Sequence, residues 1–405
     1  MQTQDYDIFI LAQSRWDNSY SSVAYCLAKE FSKHNRVFYI DHPHSVKDII
    51  KQYRNGNKIK SRLPALLFGQ KKYQKIAGLP DSFTVVVPKV TLSINWLNDG
   101  WLYSFLSKLN DKIVLSALAK TIKDYHVKKY IFINSFDPYY FRSFPSSIKP
   151  AINIYQTIDD ITQEKYIARH GTRLEKEALV KADINFATSK ELTKLMAKFT
   201  DKVYCLPNAA DFTLFQQAAN SPLTKPKELE GITQKVICYT GAIGSRIDFE
   251  LLKKIASYHH DKLLLLVGPI DDKLYKSCGL EHFPNVRFAG QKKITALPAY
   301  LQYAHCTIIP FKYSVLTKSI YPLKINEYLT AGKPVVTTAF SEDIIDFKDV
   351  VYLSETEEDF VHNIQKAIDE DSAEKKTARF TKAKNNSWEA RVNQFWNYLN
   401  NANLI

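Results

Sequence analysis

The sequence has no run of about 18 uncharged apolar residues, and its start, MQTQDYDIFILAQS, lacks the basic segment and cleavage site of a secretory leader. A chain that does not span a bilayer is therefore expected, cytoplasmic or at most peripheral to the inner face of a membrane. Cysteine is sparse as well. Cys26, Cys205, Cys238, Cys278 and Cys306 are scattered singly with no CxxC pair, which argues against a disulfide framework and for reduced core residues. Asp271-Asp272 and Glu357-Glu358 have no His or Cys alongside, so no metal site is expected. Neither a short repeat nor a low-complexity tract is present. Acid is in deficit: the net charge is +13, which narrows the partners to anionic lipid, an anionic sugar donor or nucleic acid. No RNA- or DNA-binding module is recognisable, so nucleic acid is not expected as a partner.

What is present is length and alternation. At 405 residues the chain exceeds one ordinary core and suits two domains of roughly 150 to 200 residues. Strand-like apolar runs alternate with amphipathic helix-like ones, the pattern of parallel sheets with crossover helices. In the first half the runs 6–12, 37–40, 84–87, 130–133, 152–155, 184–187 and 203–206 read as strands, and 21–33 as a helix. A second alternation has strands at 236–239, 263–267, 286–288, 307–309, 334–337 and 350–353 and a helix at 357–369. Between the halves, 211–234 is rich in Pro, Ser, Thr and Lys and reads as a linker. The expected domains are thus 1–210 and 235–386. The last periodic stretch places Trp388, Val392, Phe395, Trp396 and Leu399 on one helical face.

The most informative stretch is Ser319 to Thr338, SIYPLKINEYLTAGKPVVTT. It reads as a loop, a helix bearing Lys324 and Glu327 on one face, a stop at Gly332 and Pro334, and a buried strand. The start of a helix attracts anions through its free N–H groups and dipole, and Lys324 adds a full charge. A diphosphate with a ribose attached suits this pair, ammonium to phosphate and carboxylate to ribose hydroxyls. Two further runs belong to the argument. Tyr239-Thr240-Gly241-Ala242-Ile243-Gly244 opens the second half as a strand and glycine loop, with Arg246 two residues on. Ala187-Thr188-Ser189, followed by Leu206-Pro207-Asn208, closes the first half.

These three runs, in this order, resemble the donor-site signatures of the GT-B glycosyltransferases, in particular the group 1 (family 4) type that includes bacterial surface-polysaccharide and teichuronic-acid enzymes. The resemblance implies a GT-B α/β fold, two Rossmann-like doubly wound domains facing a cleft, with the terminal helix 387–405 crossing back onto the first. It implies transfer of a hexose or related sugar from a nucleotide diphosphate donor, most plainly a UDP-sugar, to a saccharide or lipid-linked acceptor. It also implies no metal cofactor, the diphosphate being held by protein charges. Gly241, Ile243, Gly244, Arg246, Ser319, Tyr321, Leu323, Lys324 and Glu327 are its donor-site candidates. Glu327 matches the second acid of the family's Glu-x7-Glu motif, whereas the first falls on Ser319. Where many retaining members carry an Arg just after the first glycine, this chain has Ala242.

Asp159, beside Asp160 after the strand 152–155, aligns with the catalytic aspartate of a xanthan-type glucuronosyltransferase. It is the candidate general base for an inverting transfer; a retaining transfer needs no such base, since the leaving phosphate can accept the proton, and a carboxylate capping the next helix is the structural alternative. In the loop after the first strand, Trp16 and Tyr20 are candidates to stack on an acceptor sugar, and Arg15 and Asp17 to bond its hydroxyls. From Lys51 to Ile76 there are eight basic residues and no acid, with Leu63, Leu66, Leu67 and Phe68 interleaved and Trp96, Trp101 and Phe105 further on. Such a face suits an anionic bilayer; a merely solvated basic face is the alternative. A nucleotide-sugar epimerase on the same fold and a non-catalytic binding subunit are the rival readings of the whole.

Overall fold

The computed structural model describes residues 5–17, 22–55, 62–163 and 165–405. The chain forms two compact units. The first comprises residues 1–188, 192–206 and 392–405, and the second 189–191 and 207–391.

The first unit is built on strands β1 (Asp7–Ala12), β2 (Val37–Ile40), β3 (Tyr73–Gln74), β4 (Phe83–Val86), β5 (Tyr130–Ser135), β6 (Ile152–Thr157), β7 (Ile184–Ala187) and β8 (Val203–Cys205). Their order is β3-β4-β2-β1-β5-β6-β7-β8. Every pairing is parallel except β3 with β4. Strands β1, β2, β4, β5 and β7 are buried at every position. This is why they read as unbroken apolar runs: helices cover both faces of such a sheet. Residues 392–405 belong to this unit. On the helix Trp388–Asn401, Phe395 packs 5.0 Å from Phe31 and 5.3 Å from Phe186 between ring centroids, and the Tyr398 hydroxyl donates to the Cys205 carbonyl at 3.1 Å.

The second unit is an all-parallel sheet of β9 (Val236–Thr240), β10 (Leu263–Val267), β11 (Val286–Gly290), β12 (Cys306–Ile309), β13 (Val335–Thr338) and β14 (Tyr352–Ser354), ordered β11-β10-β9-β12-β13-β14. In each unit the strand order reverses beside the first strand, at β1/β5 and at β9/β12. Beyond the carboxyl ends of strands at such a reversal, the crossovers diverge to opposite faces and leave a crevice.

The expected linker 211–234 is corrected by the structure. It lies inside the second unit and holds a helix, Phe212–Asn220, whose start is capped by the Asp211 side chain accepting from Leu214 N–H. Phe215 and Ala218 are buried in that unit's core. The polar composition had concealed a helix held by Phe215 and Ala218, by Phe212 and Leu214 packed against the same core, and by Gln302 donating to the Ala218 carbonyl. All five cysteines are free.

Candidate functional site

In the second unit the Lys324 helix and the glycine loop meet, together with Ser189 and Asn208 from the third run. The helix Leu323–Thr330 begins at Pro322, which has no side-chain cap to offer, so its first N–H groups stay available to an external acceptor. Tyr328, four residues after Lys324, is fully buried; its hydroxyl accepts from the Thr240 N–H at 2.8 Å. That bond ties the helix to the end of β9. Asn326 donates to the Asn208 carbonyl, and Asn208 to the Tyr321 carbonyl, each at 3.3 Å. The Ser189 hydroxyl donates to the carbonyl of Ser319 at 2.7 Å. Each run quoted from the sequence thus contributes a bond that fixes this one helix.

On it, Lys324 Nζ lies 3.2 Å from Glu327 Oε2. Glu327 is only 6% exposed, while the lysine is the more open partner. A buried ion pair contributes little net stability, because desolvation offsets the attraction, and here the ammonium is left partly open to solvent. Opposite it stands Gly241, with φ +146°. A β-carbon there would sit 2.9 Å from Lys324 Cε and 2.8 Å from the Tyr239 hydroxyl. Gly268 packs closer still, since its β-carbon would fall 1.8 Å from the Gly241 carbonyl oxygen. Only glycines permit this approach.

The glycine loop does less than its spacing suggests. The N–H groups of Gly241 and Ile243 donate to the Val267 and Pro269 carbonyls, both at 2.8 Å. They pin the loop beside the end of β10 and are not open to a phosphate. Ile243 is buried, whereas Gly244 faces open space. Arg246, half-buried, is close enough to act electrostatically on the Tyr239 hydroxyl, as is Glu327. Ser319 is buried, its hydroxyl donating to the Leu316 carbonyl at 2.9 Å. Tyr321 is buried beneath the helix and accepts from Asn326. Both act as supports, and Leu323 is half-buried as the first residue of the helix.

In the first unit, the loop after β1 joins a network that the sequence did not reveal. Asp41, at the end of β2, is fully buried. It accepts from the Trp16 N–H at 3.2 Å and from Arg62 at 3.3 Å. Arg62 also lies 2.9 Å from Asp17 and stands over the Trp16 ring, and Arg15 is 3.8 Å from Asp48. Burial pushes the Asp41 carboxyl up to about 6 against the opposing pull of Arg62 and Arg15. Burial, with both arginines near, holds His44 down to about 3, hence neutral. Arg15 Nε, Trp16 Nε1 and His44 Nδ1 are buried without a hydrogen-bond partner. A signal for Asp41 existed in the sequence, an acid ending an apolar strand; Arg62 was hidden in a basic run. Tyr20 lies outside the described residues.

Asp159 is half-buried just beyond β6. Its neighbour Asp160 accepts through Oδ1 from the N–H and hydroxyl of Thr162 at 3.0 and 2.6 Å. Behind them Glu175, buried on the helix Lys165–Lys181, accepts from Tyr155 and Thr157 hydroxyls at 3.3 and 3.2 Å. Burial raises its carboxyl to about 7.

The basic run 51–76 is also corrected in part. Arg62 and Lys72 are buried, the latter 3.6 Å from Asp124, and Lys75 donates to Thr84 at 2.8 Å. Lys51 and Lys71 are exposed, while Lys58 and Lys60 lie outside the described residues. Among the described residues no cluster of three or more His, Cys, Asp or Glu is positioned to hold a metal, and no helix is long and apolar enough to cross a membrane.

Residues 234–370 match the family described as glycosyl transferases group 1. Over 152 residues the chain is 32% identical to TuaH of Bacillus subtilis (strain 168), provisionally named as a teichuronic acid biosynthesis glycosyltransferase; the match spans 37% of each chain. Solved structures align along nearly the whole length. Sucrose-phosphate synthase from Thermosynechococcus elongatus is 13% identical with a TM-score of 0.63 over 98% of this chain and 100% of its own. Anabaena HepE in complex with UDP is 13% identical with a TM-score of 0.64 over the same shares. Trehalose 6-phosphate synthase from Burkholderia multivorans is 9% identical, with a TM-score of 0.67 over 98% of each. The fold is GT-B.

Proposed function

We propose that this chain, a GT-B protein whose second unit belongs to the group 1 glycosyl transferases, transfers a sugar from a UDP-sugar to a saccharide or lipid-linked acceptor in surface-glycan synthesis. The observation that carries the reading is the Lys324–Glu327 pair against Gly241 at the β9/β12 reversal. The TuaH relative and the UDP complex of HepE support the choice of donor and pathway class.

In this reading the Lys324 ammonium and the open first turn of the helix Leu323–Thr330 hold the diphosphate. Glu327 accepts from the ribose hydroxyls, with Arg246 adding charge. The acceptor oxygen bonds to the anomeric carbon as the bond from that carbon to the diphosphate breaks. The leaving diphosphate gains negative charge, which a preplaced ammonium stabilises more than it stabilises the bound donor. The acceptor's proton goes to a carboxylate, Asp159, in an inverting reaction. Arg15, Trp16 and Asp17 form the acceptor side, with Tyr20 its fourth member. No metal takes part, the diphosphate charge being met by Lys324, Arg246 and the helix start. The exposed lysines of 51–76 make a peripheral contact with anionic membrane.

The test is a thermal-shift comparison of UDP, GDP and their sugars on wild type and Lys324→Ala. A ligand at about 100 times its Kd adds about 2.7 kcal/mol to folding stability. UDP should raise Tm in wild type, with or without EDTA, and far less in the variant. No shift with any nucleotide would sink the donor site. Incubation with UDP-sugar alone should produce no epimer, and Asp159→Asn should abolish transfer while leaving the UDP shift intact.

A further inference from the structure

We infer that the first unit carries a groove that takes an aliphatic chain from an anionic membrane leaflet. It is formed by the helix Val46–Asn55, the segment 91–97 and the start of the helix Trp101–Asp124. The inference rests on the peripheral-membrane reading above and moves its centre from the basic run to this groove.

The groove encloses about 850 Å3 and is lined by apolar side chains, among them Val46, Ile50, Leu92, Trp96, Leu102 and Leu106, with Lys47 and Lys51 beside them. That volume lies within the range of pockets that hold organic ligands, roughly 300 to 1,000 Å3. Around it, side chains that ordinarily bury themselves stand in water: Trp101 is 81% exposed, Trp96 71% and Phe105 55%. At the end of the helix Leu63–Phe68, whose Leu66 carbonyl accepts from the Val90 N–H just before the segment 91–97, Leu67 and Phe68 are exposed too. So dense a collection of large apolar groups marks an interaction site.

The exposure is built in. Trp96 is held outward by its own indole N–H donating to the Ser93 carbonyl at 2.8 Å, while its carbonyl accepts from Arg169. The segment before it is fixed by the Leu92 N–H donating to Asn110 and the Lys47 N–H donating to Ser93. Tryptophan in such a position suits the headgroup layer, where one edge of the ring is wet and the other apolar.

Charge selects the occupant. From residue 49 to 98 there are nine basic residues and one acid, Asp81. The acids nearest the groove are occupied: Asp48 accepts from Ser45 and pairs with Arg15, and Asp99 is shared by His170 and Arg173. Lys47 and Lys51 are left at the lining, and Lys89 lies against Gly69 beside the exposed Phe68. An apolar groove with ammonium groups at its rim complements a hydrocarbon chain under a phosphate headgroup, each lysine near an anionic surface contributing about fivefold to binding. A second copy of the chain would bring the same positive rim and repel it.

The test uses the full-length protein with vesicles of phosphatidylcholine alone and of phosphatidylcholine with phosphatidylglycerol, including lipids brominated on the acyl chain. Anionic vesicles should bind the protein, with tryptophan fluorescence quenched by the brominated chains. The variant Trp96→Ser/Trp101→Ser should lose about tenfold or more in vesicle affinity and most of the quenching. Both side chains are exposed, and an unchanged Tm would show the fold intact. Salt-sensitive binding to anionic vesicles without quenching, unaltered in that variant, would overturn the groove and leave the charge contact standing. Failure to bind any vesicle would remove both. Concentration-dependent dimerisation abolished by the variant would overturn the lipid in favour of self-association.

Discussion

The carboxyl ends of the two sheets, each at the reversal of its strand order, are furnished in opposite ways. After β9 the chain places one ion pair, a glycine cleared of any side chain, and a helix start without a cap. After β1 and β2 it packs Arg15, Asp17, Asp41, Asp48 and Arg62 into one network around the Trp16 ring. Under the proposed donor reading the first can be sparse, because a diphosphate brings its own charge and needs only room and a cation. The second is crowded with donors and acceptors of both signs, and it leaves Arg15 Nε, Trp16 Nε1 and His44 Nδ1 buried without a partner, the mixture that recognition of neutral hydroxyls would use in the proposed reading. Sparse sites lose binding when cut, and crowded ones lose folding. Substitutions at the two edges should separate along that line.

The largest effect is expected in the crowded edge. Arg62→Ala leaves Asp41 buried without its main partner and should cost about 3–5 kcal/mol of stability. The loss should depend on pH with a definite sign. The folded carboxyl already sits near 6, above its ordinary value, and removing the guanidinium raises it further. The variant is therefore penalised most above neutrality, where that carboxyl must ionise, and recovers toward pH 5. Urea melts at pH 5 and 8 check this. Equal losses at both would show that packing, not charge, holds the site.

The sparse edge should show the reverse behaviour. Lys324→Ala removes a half-open ammonium, so Tm without ligand should move little while UDP affinity falls by about 3 kcal/mol, roughly 100-fold. A calorimetric titration measures it. A large loss of Tm with UDP affinity intact would reassign Lys324 to the fold and end the contrast between the edges.

That contrast was only half legible in the sequence. The sparse edge could be read because its parts are contiguous: Lys324 and Glu327 are one helical turn apart, and the strand–glycine loop is a local pattern. The strands were legible for the same reason, with 37–40, 184–187 and 263–267 matching β2, β7 and β10 residue for residue. Of the crowded edge only the loop residues Arg15, Trp16 and Asp17 were legible, because Arg62 lies 21 residues from Asp41 and 45 from Asp17, and nothing local distinguishes it from its neighbours in the basic run. Short elements stabilised by tertiary contact were missed too. β3 is two residues long between lysines, antiparallel to β4, and has no periodicity to detect. The glycine loop misled in a third way: spacing shows that backbone can approach a ligand, but not that two of its N–H groups are already spent on β10.

A third prediction sharpens the comparison from within the first unit. Glu175 accepts from the hydroxyls of Tyr155 and Thr157, and burial, with Asp160 adding repulsion, raises its carboxyl to about 7. Below about pH 4.5 both folded and unfolded chains hold the proton and the site costs nothing. As pH rises to 7 the unfolded chain releases its proton first, so stability falls by about 3 kcal/mol across that window and levels off above it. Glu175→Gln keeps an acceptor for both hydroxyls and should flatten the profile, making the variant the more stable at pH 8. Melting curves from pH 4 to 8 decide it, and a wild-type profile that rises over this window would contradict the assignment.

The smallest expected effect is the most discriminating for the sparse edge. Gly241→Ala adds one carbon where φ is +146°, 2.9 Å from the Lys324 Cε and 2.8 Å from the Tyr239 hydroxyl. Tyr239 is buried in the core and its hydroxyl donates to the Ala242 carbonyl, so it has little room to move. The end of a lysine does. The added carbon should cost about 1–2 kcal/mol, part of it in backbone strain and part in pushing the ammonium from its place. Because the lysine yields before the tyrosine, UDP affinity should fall by about five- to tenfold, and a double variant with Lys324→Ala should lose little more than Lys324→Ala alone. Such non-additivity is the signature of two groups acting through one contact. If the two losses instead add in full, Gly241 serves the turn and not the ammonium, and the clearance over the glycine has no part in holding the diphosphate.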